Sequence, residues 1–108
     1  PGAIAVALVD VESGMTLGTE GNGRFNIEGA AAANTEVVRA KLAAMQILDL
    51  GSEEIEDILI TLNTQYHLIR LYKLGSHRMF LYLALEKSKA NLALSRIKLS
   101  EIGKNLAL

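Results

Sequence analysis

Two histidines, His67 and His77, are the chain's only imidazoles, and the 108 residues include no cysteine. The absence of cysteine removes disulfides, thiolate nucleophiles and zinc–thiolate sites together, and it suits a cytoplasmic protein. Any general base or zinc site of imidazole type rests on the two histidines. Gly75-Ser76 reads as a hairpin tip, which sets Leu74 opposite His77 and places His67 far down the same ribbon. Separated imidazoles without a matching carboxylate do not make a metal site, and strand-surface positions are expected for both. Serines stand at Ser13, Ser52, Ser76, Ser88, Ser95 and Ser100, mostly in turns, and none lies in a Gly-x-Ser-x-Gly elbow. The glycines of Gly18-Thr19-Glu20-Gly21-Asn22-Gly23 invite a phosphate-loop reading. They lack the following Lys-Ser/Thr and match neither the P-loop nor the dinucleotide spacing, so a flexible strand-to-helix connection is expected.

Glu53, Glu54, Glu56 and Asp57 form an acidic group whose spacing does not fit the calcium loop, and a solvated loop edge accounts for it. Arg70, Lys73, Arg78, Lys87, Lys89, Arg96 and Lys98 are interleaved with Tyr66, Tyr72, Phe80 and Tyr82, the raw material of a nucleic-acid sheet. Eleven basic against twelve acidic residues give a net charge of −1, which supplies none of the basic excess such a surface needs. No catalytic constellation emerges, and no enzyme activity, cofactor, metal or nucleic-acid partner is expected. The apolar runs Ala3–Val9 and Met79–Leu85 fall well short of the roughly 20 residues that span a bilayer. The start at Pro1-Gly2 has no basic n-region and reads as a chain from which upstream residues have been removed.

The elements that would carry any surface read as β-β-α-β-β-β-α. Ala3–Val11 is a strand apolar on both faces, and Met15–Thr19 is its short return after Glu12-Ser13-Gly14. An Ala-rich helix runs from about Ile27 to Leu48 and closes before Gly51. Asp57–Asn63 alternates as a strand, Tyr66–Leu74 follows, and Met79–Leu85 is again apolar on both faces. Asn91 caps a last helix whose apolar face carries Leu92, Leu99, Ile102 and Leu106. Two strands with two apolar faces require cover on both sides. The expected fold is therefore α+β, a helix–sheet–helix sandwich with a five-stranded, mostly antiparallel sheet in one domain over residues 1–108.

The long helix carries two apolar seams, an arc of roughly 220° at 100° per residue. Ala31, Val38, Leu42 and Met45 fit packing onto the sheet. Ala33, Val37, Ala40, Ala44 and Ile47, spaced 4, 3, 4 and 3, make a small-residue seam that suits a second helix at close approach. The chain's other helix belongs on the opposite sheet face, so the partner expected is the same helix of another subunit. Asp57–Asn63 has the polar face of an edge strand, and its Ile58, Ile60 and Leu62 are a pairing liability unless covered. Pairing with a symmetry mate covers that edge and extends the sheet across a two-fold axis. The expected interface of a homodimer is thus Ala33, Val37, Ala40, Ala44 and Ile47 with Ile58, Ile60 and Leu62. With 50% hydrophobic residues, the chain is rich in apolar surface for a monomer of its size, which agrees. Lys41, between the two seams, has no assignment.

The order of elements and several stretches resemble the roadblock / dynein light chain family, including its bacterial branch of Ras-like GTPase regulators. The matching residues are Pro1-Gly2 before the first strand, Val9-Asp10 through Gly14-Met15-Thr16-Leu17, and the Ala-rich helix. In the second half they are Glu56-Asp57-Ile58-Leu59-Ile60-Thr61-Leu62, Gln65-Tyr66-His67-Leu68-Ile69-Arg70 and Ser88-Lys89-Ala90-Asn91-Leu92-Ala93-Leu94-Ser95-Arg96. The resemblance implies a single roadblock/profilin-like domain and a homodimer built from the long helix and third strand. It also implies a non-enzymatic regulator or scaffold that binds a small Ras-like GTPase, or an adaptor subunit of a signalling or motor complex. Many family members carry a further helix before the Pro-Gly, and this sequence shows none. A third reading, a small-molecule sensor or enzyme, rests only on the glycine loop and the two histidines.

Overall fold

The computed structural model describes residues 2–21 and 26–106, so Pro1 and the Asn22 and Gly23 of the glycine loop lie outside the described residues. Strands β1 (Ala3–Asp10) and β2 (Thr16–Gly21) precede helix α1 (Ile27–Ile47). Strands β3 (Asp57–Thr61), β4 (Gln65–Leu74) and β5 (His77–Glu86) lead into helix α2 (Leu92–Leu106). The strands form one sheet in the order β2-β1-β5-β4-β3, with every neighbouring pair antiparallel. Element order and sheet are as expected from the sequence. β2 begins one residue later than expected and runs to Gly21, and β3 stops at Thr61 instead of Asn63.

Local chemistry sets the connections. The Asp10 carboxylate accepts from the Ser13 hydroxyl at 2.7 Å, and Gly14 takes a φ of 73°, which together fold the β1–β2 turn. Those hydrogen bonds from Ser13 hold the Asp10 carboxyl below the usual carboxylate range. Leu74 stands opposite His77 across a tip at which Gly75 has a φ of 64°. Asn26 caps α1 by accepting from the Gly29 amide, and Asn91 caps α2 by accepting from the Leu94 amide, each at 3.1 Å. α1 ends differently from expectation. The left-handed residue is Asp49, with a φ of 58°, and not Gly51; the Leu50 amide then closes on the Met45 carbonyl at 2.8 Å.

Each sheet face has its own core. On the α1 face Val9, Val38, Ile69, Phe80 and Tyr82 are wholly buried, and Ile69 is registered against Tyr82. On the α2 face Leu68, Leu81 and Leu99 are buried, with Leu83 registered against Leu68. Burying one such large apolar side chain is worth roughly 1.5–3 kcal/mol. The first seam of α1 is in the core as expected: Ala31, Val38 and Met45 are buried, and Leu42 packs against them from a half-buried position. Asn34 and Thr35 share that stripe. They are tolerated there because their side chains donate to the carbonyls of Ala30 and Ala31, one turn back, at 2.7 and 2.8 Å.

Two expectations are corrected. β1 is buried on its α1 face, but Val6 and Leu8 on the other face are only half-buried, because α2 lies over β4 and leaves β1 partly uncovered. On α2, Leu99 is buried and Leu92 half-buried, whereas Ile102 is exposed. The adjacent Gly103 is the buried contact: a Cβ there would stand 1.8 Å from the Tyr72 ring. The Tyr72 hydroxyl donates to the Leu99 carbonyl, so ring and glycine fix α2 on β4. Gly103→Ala is expected to destabilise the fold by about 1–3 kcal/mol in chemical denaturation, because the ring has to leave its site. Gly18→Ala, with nothing within 4 Å of its added Cβ, is expected to change stability by less than about 0.5 kcal/mol.

Candidate dimerisation surface

With the sheet-facing stripe of α1 assigned, the orientation of its second seam follows from the contacts on either flank. Arg39 reaches off one flank, where its Nε donates to the Val11 carbonyl at 3.0 Å and another guanidinium nitrogen donates to the Glu12 carbonyl. Thr35 lies against Gly14 on the same side. That flank therefore faces the β1–β2 end of the sheet. Val37 is two residues from Arg39, about 160° around the helix, and points outward on the β3 side. Ala33, Ala40 and Ile47 are exposed with it, Ile47 by 85%, and Ala44 is half-buried.

β3 is the edge strand on that side, paired with β4 alone. Ile58 packs under the α1-side core and Ile60 is half-buried beside it. Leu62 is exposed and lies just past the strand, where its amide donates to the Gln65 carbonyl at 2.9 Å and closes the β3–β4 turn. The outward seam and the open edge are thus neighbours on one side of the molecule. Leu48 and Leu50, exposed by 61% and 43%, continue the apolar surface past the end of α1; sequence reading stopped at Ile47 and missed them. Lys41 is exposed.

The acidic group does not converge on one point. Glu54 accepts from Lys73 at 2.8 Å, which holds its carboxyl below the usual range. Asp57 turns to the opposite sheet face, where Arg96 Nε donates to it at 3.1 Å and Arg70 approaches to 3.9 Å. Arg96 of the Asn-Leu-x-Leu-x-Arg stretch therefore ties α2 to the first residue of the edge strand. Among the described residues no group of three or more His, Asp and Glu is placed to hold a metal. Among them, too, no helix is long and apolar enough to cross a membrane.

The histidines part ways. His77 is exposed at the hairpin tip, as expected. His67 is half-buried on the α1 face, contrary to expectation, with its ring edge-on to Tyr82 at 5.3 Å. Its Nε2 lies 2.8 Å from the Gln65 side-chain oxygen and its Nδ1 3.1 Å from the Tyr82 hydroxyl. The amide oxygen only accepts, so Nε2 carries the proton and Nδ1 accepts from Tyr82. Burial pushes the Tyr82 hydroxyl up to about 12 and the His67 imidazole below its ordinary value.

No family model matches the chain, and no curated protein matches it in sequence. Among solved structures it is similar to the Roadblock/LC7 domain from Streptomyces avermitilis, with a TM-score of 0.81 at 14% identity over 98% of this chain and 83% of that one. It is similar to Myxococcus xanthus MglB, with a TM-score of 0.79 at 19% identity over 96% of this chain and 80% of that one. An MglB solved in a tetrameric arrangement matches with a TM-score of 0.67 at 16% identity over 96% of this chain and 79% of that one. At these identities the likeness shows the fold: this chain has the roadblock fold.

The Asp57–Arg96 pair is half-exposed, so its worth is that of a partly screened ion pair. A double-mutant cycle of Asp57→Asn and Arg96→Gln is expected to give a coupling of about 0.5–1 kcal/mol in denaturation.

Proposed function

We propose that this protein is a homodimeric, non-enzymatic regulator that binds a small Ras-like GTPase and modulates its nucleotide cycle. The observation that carries the dimer is an exposed small-residue seam on α1 in a chain whose sheet ends in the open edge of β3. Alanines on a helix let another helix approach closely, and an edge strand pairs antiparallel with its own copy across a two-fold axis. One axis then serves both elements: helix meets helix while strand meets strand. Ala33, Val37, Ala40, Ala44 and Ile47 form the helical part of the interface, and Ile58, Ile60 and Leu62 accompany the strand.

The GTPase partner is supported by the sequence resemblance to the roadblock family and by the fold shared with two MglB structures. A regulator of this kind requires no side-chain chemistry. It holds the switch segments of the GTPase in one of two conformations, and it shifts their populations only by the difference in its affinity for the two.

Two measurements test the reading. Ala44→Arg places a long charge in a seam that admits a methyl group, and sedimentation is expected to show a folded monomer in place of the dimer. An unchanged dimer would remove the interface. A small GTPase encoded beside this protein, loaded with GDP or a GTP analogue, is expected to bind unequally in the two states and to change its rate of hydrolysis or exchange. Equal binding with both rates unchanged would reject regulation, and co-purification with other proteins, no GTPase among them, would favour a structural adaptor.

A further inference from the structure

The sheet has a second open edge, at the end opposite β3. Among the described residues β2 pairs with β1 alone. Thr16–Gly21 carries neither lysine nor proline to discourage pairing, and Glu20 is its one charge. A bulge opposite Leu8 and Val9 is confined to Leu17, so the register runs regularly from Gly18 to Gly21. The Val11 amide turns toward β5, donating to the Arg78 carbonyl at 3.0 Å, and the Asp10 amide turns the other way, to the Met15 carbonyl at 3.0 Å. These directions alternate along a strand. Leu8 and Val6 therefore address β2, and their partners Gly18 and Glu20 address β1. Thr19, between them, turns its amide and carbonyl outward.

Two side-chain positions frame that outward pair of groups. Gly18 and Glu20 share the α2 face with Leu8 and Val6, which α2 leaves half-buried. Gly18 brings no side chain over Leu8, and a Cβ there would meet nothing within 4 Å. An added strand about 4.8 Å away can lean an aromatic ring across the glycine onto Leu8, as aromatic residues do when they rescue edge glycines. Glu20 is exposed, and among the described residues no cation pairs with it.

We infer that β2 is a docking edge for an extended segment of another protein, which adds as one further antiparallel strand with a basic residue opposite Glu20 and, two residues on, an aromatic residue opposite Gly18. The residue between them exchanges two backbone hydrogen bonds with Thr19. A second copy of the chain suits this edge poorly. Antiparallel self-pairing about Thr19 sets Glu20 of each copy opposite Gly18 of the other, which supplies neither a cation for the glutamate nor a ring for the glycine. The edge is at the far end of the sheet from β3, so the inference stands with or without the proposed dimer.

The test is a titration of the protein with the acetylated and amidated peptide Ser-Thr-Lys-Thr-Phe-Thr-Ser, followed by amide chemical shifts and exchange rates. Shifts are expected along β2, with slowed exchange of the Thr19 amide, and none along β3. Alanine in place of the peptide's phenylalanine is expected to weaken binding by about two- to fivefold, and glutamate in place of its lysine by at least as much. Glu20→Lys is expected to reverse the preference between the lysine and glutamate peptides. Thr19→Pro removes the outward amide and spares the bonds to β1, so it is expected to stay folded and lose binding. Unmoved β2 amides, binding that survives Thr19→Pro, or indifference to both peptide substitutions overturns the inference. Shifts confined to β3 overturn it too, and so does concentration-dependent slowing at Thr19 without peptide, which gives the edge to a second copy. If Thr19→Pro does not fold, an unreversed preference in Glu20→Lys overturns it.

Discussion

One helix covers one sheet face in this fold, and that limit governs the rest. α1 buries Ala31, Val38 and Met45 on the sheet, and among the described residues no second helix lies on the same face to receive the seam from Ala33 to Ile47. An isolated helix needs a single apolar stripe to stay on its sheet. The excess has no use in folding this domain alone, and exposing it invites association. The same side of the molecule ends in β3, a strand with one free edge. Both surfaces lack the same thing, and in the proposed dimer a second copy of the chain supplies it to both at once.

Much of this could be read from residue patterns because the signals were periodic. Alternation in Ile58–Leu62, the unbroken apolarity of Met79–Leu85 and the 3–4 spacing on α1 each state which faces are buried. Their order was enough to place strands and helices. Other features were hidden because they depend on contacts between distant positions. Tyr72 occupies the space a side chain at Gly103 would take, and neither residue announces this locally. Ile102 was expected to be buried by its spacing from Leu99, but the packing of α2 over β4 turns it outward and gives its place to Gly103. The half-covered Val6 and Leu8 have the same origin: apolar alternation says that a face can be covered and not how far the covering helix extends.

The candidate site divides in the same way. Its outward residues were legible because a seam of alanines is visible in one dimension. Its foundation was not. Arg39 anchors the helix to the carbonyls of Val11 and Glu12, a contact spanning most of thirty residues of sequence, and Tyr82 meets His67 across the neighbouring strand. His67 reads on its own as a polar residue on a strand. Its burial comes from the strand's placement between β3 and β5 and from the helix above. Polar groups at such a place specify geometry more than they add stability, since each has to be satisfied by a particular partner.

The central claim is that β3 pairs with its own copy, and amide hydrogen exchange along that strand across a dilution series tests it most directly. In a dimer built on this edge, the β3 amides that point away from β4 exchange slowly at high protein concentration and lose protection on dilution, while the β4 and β5 amides do not change. Exchange at β3 that is fast and independent of concentration would contradict the account.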